Sequence, residues 1–247
     1  MNKKVILTLA FLLPVIPVVE WIISGVRDFS NLGDVQLPLS LIVIYYPARV
    51  LALVGFVMMF YQFLLSARLP VLQAVFKQPN LIRTHRSLGK VGFILMLLHG
   101  LMMLLTDLVD YGAVVFTVGK LLGIVALFLL IMAVVAAWWL RPLQFSLKVW
   151  KGFHVLAFFV FPLAFVHAIT IGTVAGVWSP TRIVFIIFFG VYLYVAGRKI
   201  VSLARGESAP GAGKKPAAKT STKPAANNEA KHAASPAAGP AESDPSS

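Results

Sequence analysis

The stretch THRSLGKVGFILMLLHGLMMLLT, residues 84–106, is an apolar run that carries two histidines, His85 and His99. A helix needs about 20 mostly apolar residues to cross a bilayer, so this stretch predicts a membrane span. The two histidines are 14 residues apart, which is about 21 Å along a helix and roughly 40° short of four full turns. We therefore expect both imidazoles on nearly the same face, one near an end of the span and one deep inside it.

Five further apolar runs of similar length surround this one, near residues 5–24, 39–66, 113–140, 148–173 and 179–198. With the first, they predict an all-α integral membrane protein with a six-helix transmembrane bundle over residues 1–205. The first run is long for a signal peptide, and we read it as a retained helix.

Composition excludes several other classes of protein. Hydrophobic residues make up 59% of the chain and charged residues 13%, whereas a soluble domain is about half apolar and a quarter charged. Mean hydropathy is +0.85. The absence of cysteine rules out disulfides, thiol catalysis and cysteine-ligated metal clusters.

The net charge of +13 is distributed as a topology signal. Basic residues lie before span 1, between spans 2 and 3, between spans 4 and 5, and after span 6. The positive-inside rule then places both termini in the cytoplasm and the bundle in the cell (inner) membrane. This explains most of the charge without a nucleic-acid partner. Residues 206–247 are rich in alanine and proline without aromatics, which predicts a disordered cytoplasmic tail.

A second histidine pair, His154 and His167, lies on span 148–173. Spans 3 and 5 run in the same direction, so His85 can meet His154 at an inner level and His99 can meet His167 at an outer level. Thirteen residues leave the second pair roughly 140° out of register on an ideal helix. Pro162 lies between them, and we expect a local bend there to bring His167 toward span 3.

Two opposed imidazoles in an apolar bundle suit the axial positions of a b-type haem, and two levels predict two haem b groups, with the four histidines as iron ligands. Hydrogen bonding across the bundle is the alternative for any one histidine. A metal or proton transporter is the alternative for the set, although no carboxylate lies between the paired histidines on either span.

Small and basic residues extend this prediction. Glycines near the histidines would let a flat ring approach a helix, or would serve close helix packing: Gly89, Gly92, Gly100 and Gly123. Arg49 and Lys120 lie in the outer half of their spans, where haem propionates would pair with them. Alternatively, Glu20, Asp107 or Asp110 would pair with these cations, or the Lys120 side chain would extend to place its ammonium group at the membrane surface.

Two stretches of the chain resemble helices 3 and 5 of the ferric-reductase-like transmembrane domain. The first is Arg83-Thr84-His85-Arg86-Ser87-Leu88-Gly89-Lys90 followed by His99, and the second is Trp150-x-x-x-His154 followed by His167. That superfamily includes ferric reductases, NADPH oxidases and the haem-binding membrane subunit of the methionine sulfoxide reductase system. The resemblance covers about residues 40–200. It implies an inner haem on His85 and His154, an outer haem on His99 and His167, and outward electron flow.

The chain differs from the longer members of that superfamily. It has no G-x-G-x-x-G fingerprint. We therefore expect FAD or FMN to act only through a partner or at the cytoplasmic face. The electron donor would be a cytoplasmic flavin reductase or membrane quinol, and the sequence does not define the acceptor on the outer side. The leading hypothesis is a transmembrane electron carrier, the haem component of an oxidoreductase. A haem-binding membrane subunit that supplies a periplasmic reductase is the second hypothesis.

Overall fold

A computed structural model describes residues 2–31, 38–67, 69–139 and 146–205. Within these ranges the description leaves out the side chains of Trp139, Leu147, Lys148, Trp150, Lys151, His154, Ser202 and Leu203. The helices belong to one unit, Met1–Gly206. The predicted tail, residues 206–247, lies outside the described residues, as do the cations Arg68 and Arg141 of the two predicted cytoplasmic links.

Helices account for nearly all of the described residues, which contain no strand. The helices are α1 (Lys3–Leu12), α2 (Val15–Asn31), a π-helical turn (Leu41–Tyr45), α3 (Tyr46–Ser66), α4 (Pro70–Val75), α5 (Gln78–Tyr111), α6 (Val118–Trp139), α7 (Leu147–Ile171) and α8 (Pro180–Ala204).

Five helical segments of the described chain are long and apolar enough to cross a membrane, and Val155–Ile171 of α7 is a shorter apolar helix. The predicted all-α membrane bundle is therefore confirmed.

The first predicted span consists of two helices and extends further than expected. Pro14 lacks the N–H that would continue α1, and the chain turns at residues 13–14 before α2 begins. Helix α2 then continues to Asn31, beyond the predicted end at residue 24. This extension matters because it adds Asp28 to the same helix as Ser24.

Helix α5 is longer than the predicted span 84–106, since it covers Gln78–Tyr111. A proline stands in its first turn, where a missing N–H costs nothing. Gly112 ends it in the left-handed conformation, with φ of 70°, and its N–H donates to the carbonyl of Leu108 over 3.1 Å. Both ends are thus defined by local chain chemistry.

Two helix pairs make the most extensive contacts, α6 with α7 and α3 with α5. An aromatic core connects α3 to α7 and α8. Phe60 stacks on Phe188 with ring centroids 3.8 Å apart, and Phe56 stacks on Phe161 at 4.9 Å. His99 of α5 and His167 of α7 line one cavity within this bundle.

Candidate paired-histidine site

His99 lies on α5 and contacts the main chain of α3. Its Nδ1 is 2.9 Å from the carbonyl oxygen of Ala48. Ala48 is fully buried, and its small side chain lets the ring approach the helix. Because a carbonyl oxygen only accepts hydrogen bonds, Nδ1 carries the proton and Nε2 keeps a free lone pair. Metal-binding histidines have this arrangement.

His167 lies on α7 and makes the equivalent contact with α6. Its Nδ1 is 2.8 Å from the carbonyl oxygen of Gly119. Gly123 lies one turn further along α6. A Cβ at Gly123 would lie 2.6 Å from both Cε1 and Nδ1 of the His167 ring. The glycine therefore leaves the space that the ring fills, and Nε2 of His167 is again the nitrogen with the lone pair.

The two imidazoles face a common cavity. Their ring centroids are 6.3 Å apart and their planes meet at 65°. Two imidazoles on opposite sides of one metal ion, each bonded at about 2 Å, would have centroids about 6 Å apart. The cavity encloses about 210 Å³ and is lined mainly by apolar residues from α3, α5, α6 and α7. The residues present therefore fit a haem held by His99 and His167.

Arg49 also lines this cavity, and it is 7% exposed. Its guanidinium donates to Ser24 Oγ over 3.0 Å and lies 3.6 Å from the carboxylate of Asp28. The rings of Tyr45 and Tyr46 stand over it. The acid beside Arg49 is thus Asp28 and none of those that the sequence suggested. The Arg49 Nε is buried without a hydrogen-bond partner.

Lys120 lines the same cavity and has a close partner of its own. Its Nζ is 2.5 Å from a carboxylate oxygen of Asp107, one of the three acids that the sequence offered. The same oxygen accepts from the N–H of Val115 over 3.0 Å. Lys120 is therefore already neutralised, whereas the ion pair of Arg49 with Asp28 is longer.

The inner level is only partly described. His85 lies on α5 beside Gln62 of α3. In the amide orientation that satisfies both groups, Gln62 donates to the carbonyl oxygen and Nδ1 of His85 over 2.7 and 2.9 Å, and accepts from the N–H of Gly89 over 2.9 Å. The side chain of His154 lies outside the described residues, so its predicted pairing with His85 stays a prediction. The predicted alignment of His154 with His167 is likewise untested.

Sequence reasoning missed three groups at this site: the carbonyls of Ala48 and Gly119, and Gln62. A carbonyl belongs to every residue and gives no sequence signal. Gln62 does give one, since it is a polar residue within the apolar span 39–66. No group of three or more His, Asp or Glu side chains able to hold a metal ion occurs among the described residues. His99 and His167 are the two imidazoles whose rings the structure brings together at this cavity.

The fold and the site together define an all-helical membrane protein with a paired-histidine cavity. Residues 51–165 match the family described as ferric reductase like transmembrane component. The chain therefore carries a ferric-reductase-like transmembrane region, and the resemblance drawn from the sequence is confirmed. The matched range includes His85, His99 and His154 and ends just before His167. No curated protein and no solved structure matches the chain. Transmembrane electron transfer is the general function that the family match supports.

Proposed function

We propose that this protein carries electrons across the cell membrane through two b-type haems, with His99 and His167 as the outer axial ligands and His85 and His154 as the inner ones. The observation that supports this most directly is the outer pair. Both imidazoles have Nδ1 bound to a main-chain carbonyl, which leaves both Nε2 lone pairs for the same iron. Haem bound there would supply reversible one-electron chemistry.

The chain's own residues hold, orient and shield the cofactor. The two carbonyls fix the imidazole tautomers and ring directions. The apolar lining excludes water, which strengthens electrostatic interactions inside the cavity. Arg49 lines the cavity and places a buried positive charge beside the site. Lys120 contributes a cation whose charge Asp107 already offsets, so its interaction with a propionate is the weaker of the two.

The proposed direction of transfer is from the cytoplasm outward, with both termini cytoplasmic. A cytoplasmic flavin reductase or membrane quinol supplies the electrons, and an acceptor on the outer side receives them. The basic residues on one side of the predicted spans support this orientation. Service to a dedicated periplasmic reductase is a special case of the same activity, in which the acceptor is a bound partner.

The test is a reduced-minus-oxidised absorption spectrum of the detergent-purified protein, with a pyridine haemochrome count. We expect a b-type α-band and about two haems per chain. One haem would restrict the proposal to one histidine level. Protein that binds no haem when produced with ample haem would contradict electron transfer and favour a metal or proton transporter.

A further inference from the structure

Pro162 lies inside α7 between the two histidines of that helix. A proline has no N–H, so the carbonyl four residues earlier loses its helical hydrogen bond, and the proline ring also crowds that carbonyl. Here the carbonyl belongs to Phe158. Helix α7 nevertheless continues without a break from Leu147 to Ile171. Some other donor must therefore satisfy the Phe158 carbonyl, because an unpaired buried carbonyl is costly.

Tyr192 of α8 supplies that donor. Its hydroxyl donates to the Phe158 carbonyl oxygen over 2.7 Å. Tyr192 is 8% exposed, and its ring packs against Phe63 and Phe161 with centroids 4.8 and 5.2 Å away. A ring held on these sides has little freedom to turn its hydroxyl elsewhere. The tyrosine therefore replaces, from a neighbouring helix, the hydrogen bond that Pro162 removes.

The same arrangement occurs at a second proline. Pro14 ends α1, and the carbonyl four residues before it belongs to Ala10. Tyr61 of α3 donates its hydroxyl to that carbonyl over 2.7 Å. In both places a tyrosine on an adjacent helix satisfies the carbonyl that a proline leaves unpaired. The two sites differ in the helix around the proline, since Pro14 lies between α1 and α2, whereas Pro162 lies inside α7, which continues to His167 and beyond.

We propose that Tyr192 is a positioning residue for the outer histidine pair. By donating to the Phe158 carbonyl, Tyr192 fixes the orientation of the part of α7 after Pro162 relative to the part before it. His167 lies five residues after Pro162, and its ring must reach the Gly119 carbonyl and face His99 at the same time. This inference rests on the proposed haem function, because it concerns the geometry of the outer iron ligands.

The experiment compares Tyr192→Phe with Tyr61→Phe in the full-length protein. Each variant removes one hydroxyl that donates to a proline-orphaned carbonyl, so the chemical change is the same. The readout is electron paramagnetic resonance of the oxidised haems, whose low-spin g values depend on the angle between the axial imidazole planes. We expect Tyr192→Phe to shift the g values of the outer haem, and Tyr61→Phe to leave them as in the unmodified protein.

A second background isolates the hydrogen bond. Pro162→Ala restores an N–H that can pair with the Phe158 carbonyl, so Tyr192→Phe should cause no further shift in the Pro162→Ala protein. In thermal unfolding, Tyr192→Phe alone should lower the ratio of folded to unfolded protein by about tenfold, and much less in the Pro162→Ala background. If Tyr192→Phe alone is not recovered folded, recovery of the double variant supports the inference.

Three results overturn the inference: unshifted outer g values in Tyr192→Phe, the same shift in Tyr61→Phe, or an undiminished effect in the Pro162→Ala background. A failure of the proposed function looks different, because the unmodified protein would then contain no haem at all. The unfolding comparison would still report on the Tyr192 hydrogen bond in that case, but the assignment of a role toward iron ligands would fall with the haem.

Discussion

The outer and inner histidine levels differ in what holds their imidazoles. At the outer level, His99 and His167 contact main-chain carbonyls, which can only accept. Their tautomer is therefore set by the backbone of α3 and α6. At the inner level, His85 lies against the amide of Gln62, which can donate through its nitrogen or accept through its oxygen. A main-chain carbonyl fixes the tautomer of the histidine that contacts it, whereas beside a side-chain amide the histidine's tautomer depends on the orientation of the amide.

The largest expected effect comes from removing an outer ligand. His99→Ala should abolish the outer haem and leave about one haem per chain, because a single remaining imidazole cannot provide both axial nitrogens. Pyridine haemochrome analysis measures this directly. His232→Ala removes the histidine outside the predicted spans and serves as the control. A His99→Ala protein that keeps two haems would separate His99 from the iron.

A smaller change to the same level tests the space around a ligand. Gly123→Ala should displace the His167 ring, because the new Cβ would lie 2.6 Å from Cε1 and Nδ1. We expect the outer haem to be lost partially rather than completely, as seen by the haem count and the α-band. Gly190→Ala is the matched control, since nothing lies within 4 Å of a Cβ there. Equal haem content in the two variants would show that the ring does not need this position.

The sequence alone was sufficient for the apolar helices, because apolar length is a property of the chain itself. It was not sufficient for the partner of Arg49. The predicted first span ended at residue 24, whereas α2 continues to Asn31. Ser24 and Asp28 are four residues apart, share one face of that helix, and both contact Arg49. Because the predicted end of the first span was too early, Asp28 was not identified from the sequence as the acidic partner of Arg49.

The outer partners of the histidines could not be predicted for a different reason. Which carbonyl receives Nδ1 depends on how α3 packs on α5 and how α6 packs on α7, and packing distances are not encoded in any single motif. Lys120 and Asp107 were easier to anticipate, because few charges occur in the outer half and each buried charge needs an opposite one.

The inner level is tested by Gln62→Leu. The variant removes the amide that contacts His85 and Gly89. In the orientation described, the amide nitrogen donates to Nδ1 of His85, so the amide must turn its oxygen toward Nδ1 before Nε2 can bind iron. Partners that accept from a ligand histidine in this way affect affinity by about 10- to 100-fold. We expect weaker haem retention at the inner level, with the outer haem unchanged. Retention is measured by titration with apomyoglobin as a haem acceptor. Gln73→Leu is the control, because Gln73 is an exposed glutamine of α4 whose amide nitrogen donates to Gln78 over 3.2 Å. Loss at the outer level instead would contradict the assignment of Gln62.

The smallest expected effect distinguishes the two cations at the outer cavity. Arg49→Met removes a buried positive charge whose ion pair is 3.6 Å long, whereas Lys120→Met removes one that Asp107 holds at 2.5 Å. A positive charge beside the outer haem stabilises the reduced form relative to the oxidised form. Its loss should lower the midpoint potential by on the order of 1 kcal/mol, about 40 mV for one electron.

Redox titration of the two variants measures the difference. Lys120→Met also leaves Asp107 buried and unpaired, unless that carboxyl takes up a proton and cancels the change in charge. The half-exposed Asp28 can instead be stabilised by water when Arg49 is absent. We therefore expect the larger potential shift for Arg49→Met. The reverse order would mean that Lys120, despite its partner, is the cation that the outer haem senses.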